Sequence, residues 1–524
     1  MIFHYRLLAV MDFLSGIVSS AMVSFFLVLI CFCVLLLKTF MGKSLNHPQY
    51  PPVMGTVFHE LLYFNCLYDY HTDLARKHRT FRLLAPSNNE LFTTDPRNVE
   101  HILKTNFDKY SKGSHDHEIL EDLLGHGIFN VDGDKWRQQR KIASFEFSTR
   151  VLRDFSCSVF RRKAAKLAET IMGFGAMNQT FDIQDLLMRF SLESIFKVGF
   201  GVDLNCLGGS SEEGRAFIKA FDDSNQLVFF RYVNPFWKLK RILRLGSEGV
   251  LKKNIKFMDD FVLGVISHKR KQMLEKQNYN DKEDILSRFL VESKKDPQRM
   301  TDQYLKDIIL NFMVAGKDTS AGTLSWFFYL LCKHPLIQEK VAEEVREIIN
   351  CKENETNIDT FVECLTDAAL VKMHYLHAAL TETLRLYPVV PTDGRCAETD
   401  DVLPDGFRLK KGDGVNYMAY AMGRMNYIWG EDAEEFQPER WLNNGVFQPE
   451  SPFKFVSFNG GPRNCLGKEF AYRQMKIVVM VLLRFFRFRL ADEKKQVTYK
   501  TMITLHINGG LHLNAIPRIG FGKI

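Results

Sequence analysis

The sequence predicts a mainly α-helical protein with small β-sheets, preceded by an N-terminal transmembrane helix. Apolar residues recur with helical spacing over long segments, whereas the alternation typical of strands is confined to short ones. Hydrophobic residues make up 46% of the 524-residue chain and charged residues 25%, as in packed globular proteins. These observations favour one large folded domain over disorder.

The transmembrane helix is predicted at Phe13–Leu37, a run that contains no charged residue. A helix of about 25 residues spans roughly 37 Å, more than the ~30 Å hydrocarbon core of a bilayer. A cleaved signal peptide is the alternative, but its apolar region is shorter and ends at a small-residue cleavage site. We therefore expect a single-pass anchor at residues 13–37 after a short tail at residues 1–12.

A proline-rich connector follows the anchor, because Pro48, Pro51 and Pro52 exclude a helix or a central strand. We assign residues 38–55 to this basic, proline-rich connector and residues 56–524 to a single catalytic domain. The scattered cysteines include no C-x-x-C pair, which indicates reduced thiols and a domain that faces the cytosol. The net charge of +7 is spread along the chain and suits a membrane surface or an acidic protein partner, not nucleic acid.

Helical periodicity predicts a series of helices, the longest of which could cross the whole domain. They lie at Leu152–Gly173, Ile183–Gly199, Asn254–Lys276, Thr301–Lys333, Leu336–Ile349, Val371–Leu386 and Gly467–Phe486. Strands are predicted at Thr80–Leu84, Glu90–Thr93, Phe407–Leu409 and Val497–Leu505, with a hairpin at Asn508-Gly509-Gly510.

The strongest chemical signal is a glycine-rich loop around one cysteine. The loop fits F-x-x-G-x-R-x-C-x-G with Phe458, Gly461, Arg463, Cys465 and Gly467. Its glycines let the backbone approach a flat cofactor, and its amides can donate to a sulfur. A helix that begins at Gly467 puts the sulfur at a positive helix end, which lowers the pKa of a thiol. Cys465 is therefore a candidate metal ligand; a structural cysteine in a turn is the alternative.

With this loop, the chain resembles the cytochrome P-450 superfamily from about Tyr50 to its C-terminus. The resemblance implies haem b with Cys465 as the axial iron ligand and Arg463 beside a haem propionate. Phe458, Gly461 and Gly467 would shape the cofactor loop. It also implies a monooxygenase that inserts one oxygen atom of O2 into an unactivated C–H bond, since a thiolate ligand favours O–O cleavage.

A second motif lies midway along the helix predicted at Thr301–Lys333. Ala315-Gly316-Lys317-Asp318-Thr319-Ser320 fits [AG]-G-x-[DE]-T-[TS], and a glycine inside a helix suggests room against the backbone. The resemblance places Ala315 and Gly316 at the cofactor and gives Asp318 and Thr319 the delivery of protons for oxygen activation. The alternative is that Thr319 bonds to the carbonyl one turn earlier and that Asp318 is solvated.

Two shorter motifs gain their meaning from context. E-x-x-R fits Glu382–Arg385 but also Glu343–Arg346, and W-x-x-x-R fits Trp136–Arg140 but also Trp237–Arg241. The resemblance implies a structural network of Glu382, Arg385 and Arg440, and propionate contacts for Trp136 and Arg140. Trp237 instead is predicted to belong to an aromatic and basic membrane-facing surface with Val228–Tyr232 and Phe236; ordinary core aromatics are the alternative.

The chain contains no G-x-G-x-x-G after a strand and no flavin domain, so the monooxygenase reading requires a separate NADPH-dependent flavoprotein reductase as partner. A haem-thiolate isomerase or dehydratase acting on a hydroperoxide is the second hypothesis, and a non-catalytic haem-binding membrane protein the third. The intact Asp318-Thr319 pair favours the monooxygenase. The resemblance implies the endoplasmic reticulum membrane as location.

Three passages resemble the plant clan of fatty-acid ω-hydroxylases: Phe236–Glu248, Ala315–Ser325 and Val402–Gly406. The resemblance implies ω-hydroxylation of long-chain fatty acids, with a terpenoid or another apolar lipid as the alternative substrate. Apolar side chains are expected to line the pocket, with Phe312 and Val390 as its constriction. The predicted lining residues are Ile308, Phe312, Ala315, Val389, Val390 and Ile503.

Overall fold

The computed structural model describes residues 22–518 except 24, 27–28, 42, 87–88, 149, 209–211, 276–283, 296, 299 and 350–356. Residues 1–12 of the predicted tail, and residues 13–21, 24 and 27–28 of the predicted anchor, lie outside the described part. Among the described residues, no helix combines the length and the apolar character needed to cross a membrane.

Helices form most of the described fold. The α-helices are α1 Val57–Leu62, α2 Leu67–Lys77, α3 Pro96–Glu100, α4 Gly113–Leu124, α5 Gly133–Ser148, α6 Arg150–Ala176, α7 Ile183–Phe200, α8 Glu212–Phe230, α9 Trp237–Leu243, α10 Ser247–Glu275, α11 Ile285–Lys295, α12 Asp302–Met313, α13 Thr319–Lys333, α14 Pro335–Ile348, α15 Ile358–Glu363, α16 Asp367–Lys372, α17 His374–Leu386, α18 Ala419–Met422, α19 Asn426–Trp429 and α20 Lys468–Phe485. The predicted helices agree with α6, α7, α10, α14 and α20 to within a few residues at most ends.

The long helix predicted at Thr301–Lys333 is present as α12 and α13, joined by a π-helical segment at Val314–Asp318. We call Asp302–Lys333 the central helix. The Thr301 hydroxyl caps its start by accepting from the Tyr304 amide at 3.3 Å. Most of its side chains are buried in the main hydrophobic core. A π-helical turn widens the backbone ring and is frequent at functional sites, so the segment singles out the motif around Gly316.

Small sheets lie beside this helical body. The strands are β1 Val53–Thr56, β2 Thr80–Leu84, β3 Asn89–Thr93, β4 Tyr110–Ser111, β5 Phe181–Asp182, β6 Asp393–Ala397, β7 Asp401–Val402, β8 Arg408–Leu409, β9 Gly414–Tyr417, β10 Leu442–Asn443, β11 Val446–Phe447, β12 Phe486–Leu490, β13 Tyr499–Lys500, β14 His506–Ile507 and β15 His512–Pro517. The largest sheet has the order β1-β2-β3-β9-β6-β4 and mixes parallel with antiparallel pairs. It places β6, which follows α17, at the edge of the candidate site.

Three predictions about local structure were wrong. The helix predicted at Val371–Leu386 is interrupted at Met373, which separates α16 from α17. The strand predicted at Val497–Leu505 consists only of Tyr499–Lys500, because the following residues bend. Asn508-Gly509-Gly510 is a turn but not a hairpin: β14 pairs with β13, whereas β15 pairs with β12 and β5.

Candidate active site

The glycine-rich loop brings Cys465 to the start of α20. Gly461 has a φ of 63°, and a β-carbon there would lie 1.9 Å from the Leu103 carbonyl oxygen, so only glycine fits. The Cys465 amide donates to the Phe458 carbonyl at 2.8 Å and closes the loop. Gly467 is the N-cap residue of α20. The sulfur is thereby fixed between the loop and a helix N-terminus.

Cys465 has solvent-exposed surface. Its thiol group is nevertheless surrounded by protein and has lost hydration. Burial raises the pKa of its thiol, although the Gly467 amide and the charges of Arg140 and Lys468 act in the opposite direction. The helix end therefore acts in the predicted direction, and loss of hydration outweighs it. A metal bound to this thiol would itself deprotonate it.

The W-x-x-x-R residues of α5 lie against the same loop. Arg140 donates to the Asn464 backbone carbonyl at 2.6 Å and also to the Asn464 side chain. The Arg463 guanidinium lies 4.5 Å from the centre of the Trp136 ring, which is 7% exposed. Arg463 also donates to Asp132 at 2.5 Å. The structure thus brings Trp136, Arg140, Arg463 and Cys465 together.

Sequence reasoning missed Arg395, a buried arginine on β6. It donates to Gly394 and Asp393 at 2.6 and 3.1 Å, but its Nε atom has no hydrogen-bond partner. Burial and the nearby charge of Arg395 lower the pKa of Arg463 to about 10. In the sequence, Arg395 could have been noticed as a single arginine among small and apolar residues after the E-x-x-R helix. Its position near Arg463 could not be predicted, because it depends on where β6 lies in the sheet.

These residues fit the haem that the resemblance implies. A propionate-bearing macrocycle needs cationic and aromatic partners at its edge, and Arg140, Arg463, Arg395 and Trp136 supply them. The unpartnered Nε atom of buried Arg395 is a donor that lacks an acceptor, which a carboxylate would provide. Cys465, on the loop before α20, offers the sulfur ligand.

One face of the central helix is partly accessible. Phe312, Ala315, Gly316 and Thr319 are partly accessible, whereas their neighbours on the helix are buried. Their spacing of three, four and seven residues puts them on one side of the helix. This face carries the motif that was predicted to lie at the cofactor.

The polar residues of that motif agree with one half of the alternative and contradict the other half. Thr319 does donate to the Ala315 carbonyl one turn earlier, as the alternative reading held. Asp318, however, is fully buried and ion-paired, not solvated. Gly316 is needed for packing, since a β-carbon there would lie 2.7 Å from the Ile195 Cδ1 atom of α7. Its role in leaving room for a ligand stays a prediction.

The E-x-x-R residues form a buried network behind the loop. Arg385 Nε and Nη2 each lie 2.7 Å from Glu382, and Arg440 Nε lies 3.4 Å from the same carboxylate. Trp441, which sequence reasoning had not assigned, donates to Glu382 at 2.8 Å. The network joins α17 to the segment that leads into the Cys465 loop.

The predicted pocket residues differ in their exposure. Phe312 and Ile503 are partly accessible, and Val390 is 37% exposed. Ile308 and Val389 are 7% and 3% exposed, and their assignment as lining residues stays a prediction. Val389 is buried because it packs on Gly322 of the central helix, where a β-carbon would lie 3.2 Å from Val389 Cγ1.

The predicted membrane-facing surface is also corrected. Trp237 and Val228 are buried, and the Arg231 guanidinium lies 4.8 Å from the centre of the Trp237 ring. Phe236 is 37% exposed, as predicted, and α9 also exposes the apolar side chains of Leu239, Ile242 and Leu243. Trp237 is buried because it packs in the main hydrophobic core.

Comparison with known proteins agrees with this geometry. The family model described as Cytochrome P450 matches residues 47–513. Cytochrome P450 704C1 of Pinus taeda is 51% identical over 498 residues, which cover 93% of this chain and 96% of that protein. Cytochrome P450 704B1 of Arabidopsis thaliana is 41% identical, with 91% and 96% covered, and Cytochrome P450 86B1 of the same plant is 40% identical, with 86% and 82% covered.

Proposed function

Because the chain belongs to the cytochrome P450 family and is a monooxygenase of that family, we propose that it hydroxylates long-chain fatty acids at or near their methyl end. Haem b supplies reductive activation of O2 when bound, and a redox partner reductase supplies the electrons. We propose that this partner is an NADPH-dependent flavoprotein and that the enzyme is anchored in the endoplasmic reticulum membrane with its catalytic domain in the cytosol.

The protein's own residues have separate tasks in this proposal. Cys465 holds the iron, while Trp136, Arg140, Arg463 and Arg395 hold the edge of the macrocycle. Asp318 and Thr319 move protons from the interior to the reaction face of the central helix. Glu382, Arg385 and Arg440 keep the Cys465 loop in place and do not take part in the chemistry.

The observation that carries the substrate proposal is the apolar character of the accessible side chains beside this face. Phe312, Val390 and Ile503 come from three different segments, and none carries a polar group. Such a lining excludes water and favours a saturated chain, since each buried CH2 contributes about 0.8 kcal/mol. The Phe312 ring lies 5.8 Å from the Phe147 ring and 6.3 Å from the Phe289 ring. These contacts hold the Phe312 ring in place. A fixed ring here would let the end of a fatty-acid chain approach the reaction face more easily than the middle of the chain.

The test is turnover by the recombinant enzyme with a reductase and a panel of saturated fatty acids, sterols and terpenoids, with products identified by mass spectrometry. We expect hydroxylation of fatty acids at the terminal or adjacent carbon. Phe312→Ala should move oxidation toward internal carbons, whereas Ile308→Val, a change one turn earlier at a buried position, should not. Turnover of terpenoids without any fatty acid would refute the substrate proposal but not the monooxygenase activity.

A further inference from the structure

Asp318 is ion-paired with the residue that precedes it. Lys317 Nζ lies 2.5 Å from Asp318 Oδ1 and 2.6 Å from Asp222 Oδ1 on α8, and the lysine side chain has no exposed surface. The ammonium group also lies 4.9 Å from the centre of the Phe221 ring. The Asp222 side chain is 25% exposed. The three charged side chains of Asp222, Lys317 and Asp318 therefore form a series of ion pairs from the solvent, through α8, to the central helix.

The second oxygen of Asp318 is held by two other segments. Asn225 of α8 donates to Oδ2 at 3.1 Å, and the Thr504 hydroxyl donates to the same atom at 3.2 Å. His506 Nε2 lies 3.8 Å from Oδ1. The Asn225 side chain also accepts from the Ile503 amide at 2.9 Å. The acid of the motif is therefore fixed from both sides, by α8 and by the segment before β14.

The charge of Asp318 depends on these neighbours. Burial alone would raise the pKa of its carboxyl group, but Lys317 and, to a smaller extent, His506 lower it below the ordinary value. Asp222 and Asp318 in turn raise the pKa of Lys317 against the effect of its burial. Removing one member of a buried ion pair leaves the other uncompensated, and a buried carboxylate then takes up a proton.

From this geometry we infer that Lys317 is a positioning residue for Asp318, which it holds as an oriented carboxylate, and that Asp222 completes the pair from α8. The inference rests on the proposed role of Asp318 in proton delivery. A purely structural ion pair is the competing account, and it predicts changes in stability and in the ionisation of Asp318 without changes in the use of electrons.

The test compares Lys317→Met and Lys317→Arg with Lys306→Met. Lys306 is a matched control because it is a buried lysine of the same helix, 2.9 Å from Asp259, but it makes no contact with Asp318 among its described partners. Infrared spectroscopy reports the C=O band of a protonated carboxyl group without any turnover. We expect a new band in Lys317→Met that disappears in the double variant with Asp318→Asn. Lys306 also lies 3.8 Å from buried Asp307, so any band that Lys306→Met gives should persist when Asp318→Asn is added.

Turnover supplies the second measurement. Lys317→Met should lower product per NADPH several-fold, release more hydrogen peroxide and make this ratio depend on pH near neutrality, while Lys317→Arg should preserve most of it. Absence of the infrared band in Lys317→Met, or an unchanged ratio at every pH, would overturn the inference. If no fatty acid is turned over, but the band appears and another lipid shows the same loss of product per NADPH, the positioning role stands and only the substrate proposal fails.

Discussion

Arg385 donates two hydrogen bonds of 2.7 Å to Glu382, and neither side chain has any exposed surface. The same carboxylate accepts from Trp441 and from the Gln437 amide, so one buried acid orders several segments around the Cys465 loop. A pair of this kind gives little net stability by itself, but removal of one partner leaves a buried charge unpaired.

We therefore predict that Arg385→Leu prevents stable folding and haem incorporation, with a loss on the order of 3–5 kcal/mol. The matched control is Arg346→Leu, which changes the second E-x-x-R pattern, where Glu343 and Arg346 are both exposed. Haem content per protein and the thermal unfolding midpoint measure the effect. Equal behaviour of the two variants would contradict the structural role of Glu382 and Arg385.

Much of the helical framework could be predicted because apolar periodicity records which face of a helix is buried. The central helix, α7 and α20 are long amphipathic or buried segments of this kind. The break at Met373 and the short strands near Tyr499 could not be predicted, since tertiary contacts determine where these elements begin and end. Cys465 was identified because loop chemistry is local. Arg395 was missed because its place near Arg463 depends on how β6 lies in the sheet. Lys317 was missed because its partner Asp222 lies on α8, which is distant in sequence.

We predict that Thr319→Ala keeps a haem-thiolate spectrum but lowers product per NADPH and raises hydrogen peroxide. The Thr319 hydroxyl lies on the open face of the central helix, so its removal should affect proton delivery more than folding. Thr323→Ala is the control, because Thr323 makes the same kind of bond to the carbonyl four residues earlier, at 2.7 Å, yet is buried. Product and peroxide per NADPH are measured in both; equal ratios would exclude the role of Thr319.

Lys476 gives a prediction about pH and stability. It is 6% exposed and donates to the Leu370 carbonyl, and burial lowers the pKa of its ammonium group to about 8. The folded protein binds this proton less tightly than the unfolded chain does. The charge on Lys476 therefore lowers the free energy of unfolding by its full amount below pH 8, and this destabilisation decreases between pH 8 and about 10.5.

The thermal midpoint of the wild type should therefore rise relative to that of Lys476→Met over this alkaline range, by an amount equivalent to roughly 3 kcal/mol. The difference between the two proteins isolates Lys476 from other groups that titrate in the same range. Parallel curves from pH 7 to 10.5 would show that Lys476 keeps its ordinary pKa in the folded protein.

We predict that a protein beginning at Lys43 still folds and binds haem. Arg82 of β2 donates to the Ser44 and Pro51 carbonyls at 2.7 Å each, so the connector is attached to the large sheet independently of the anchor. Exposed Leu239, Ile242 and Leu243 should leave the truncated protein partly bound to membranes. Haem content and the fraction that sediments with vesicles measure both effects. Complete loss of haem would show that the anchor is needed for folding.

The central claim is that Cys465 is the axial ligand of a haem-thiolate enzyme, and the reduced, CO-bound absorption spectrum tests it most directly. The wild type should show the red-shifted band of thiolate ligation, Cys465→Ser should lose it, and Cys66→Ser, which changes an exposed cysteine outside the site, should keep it. A thiolate-type CO spectrum in Cys465→Ser would contradict the account.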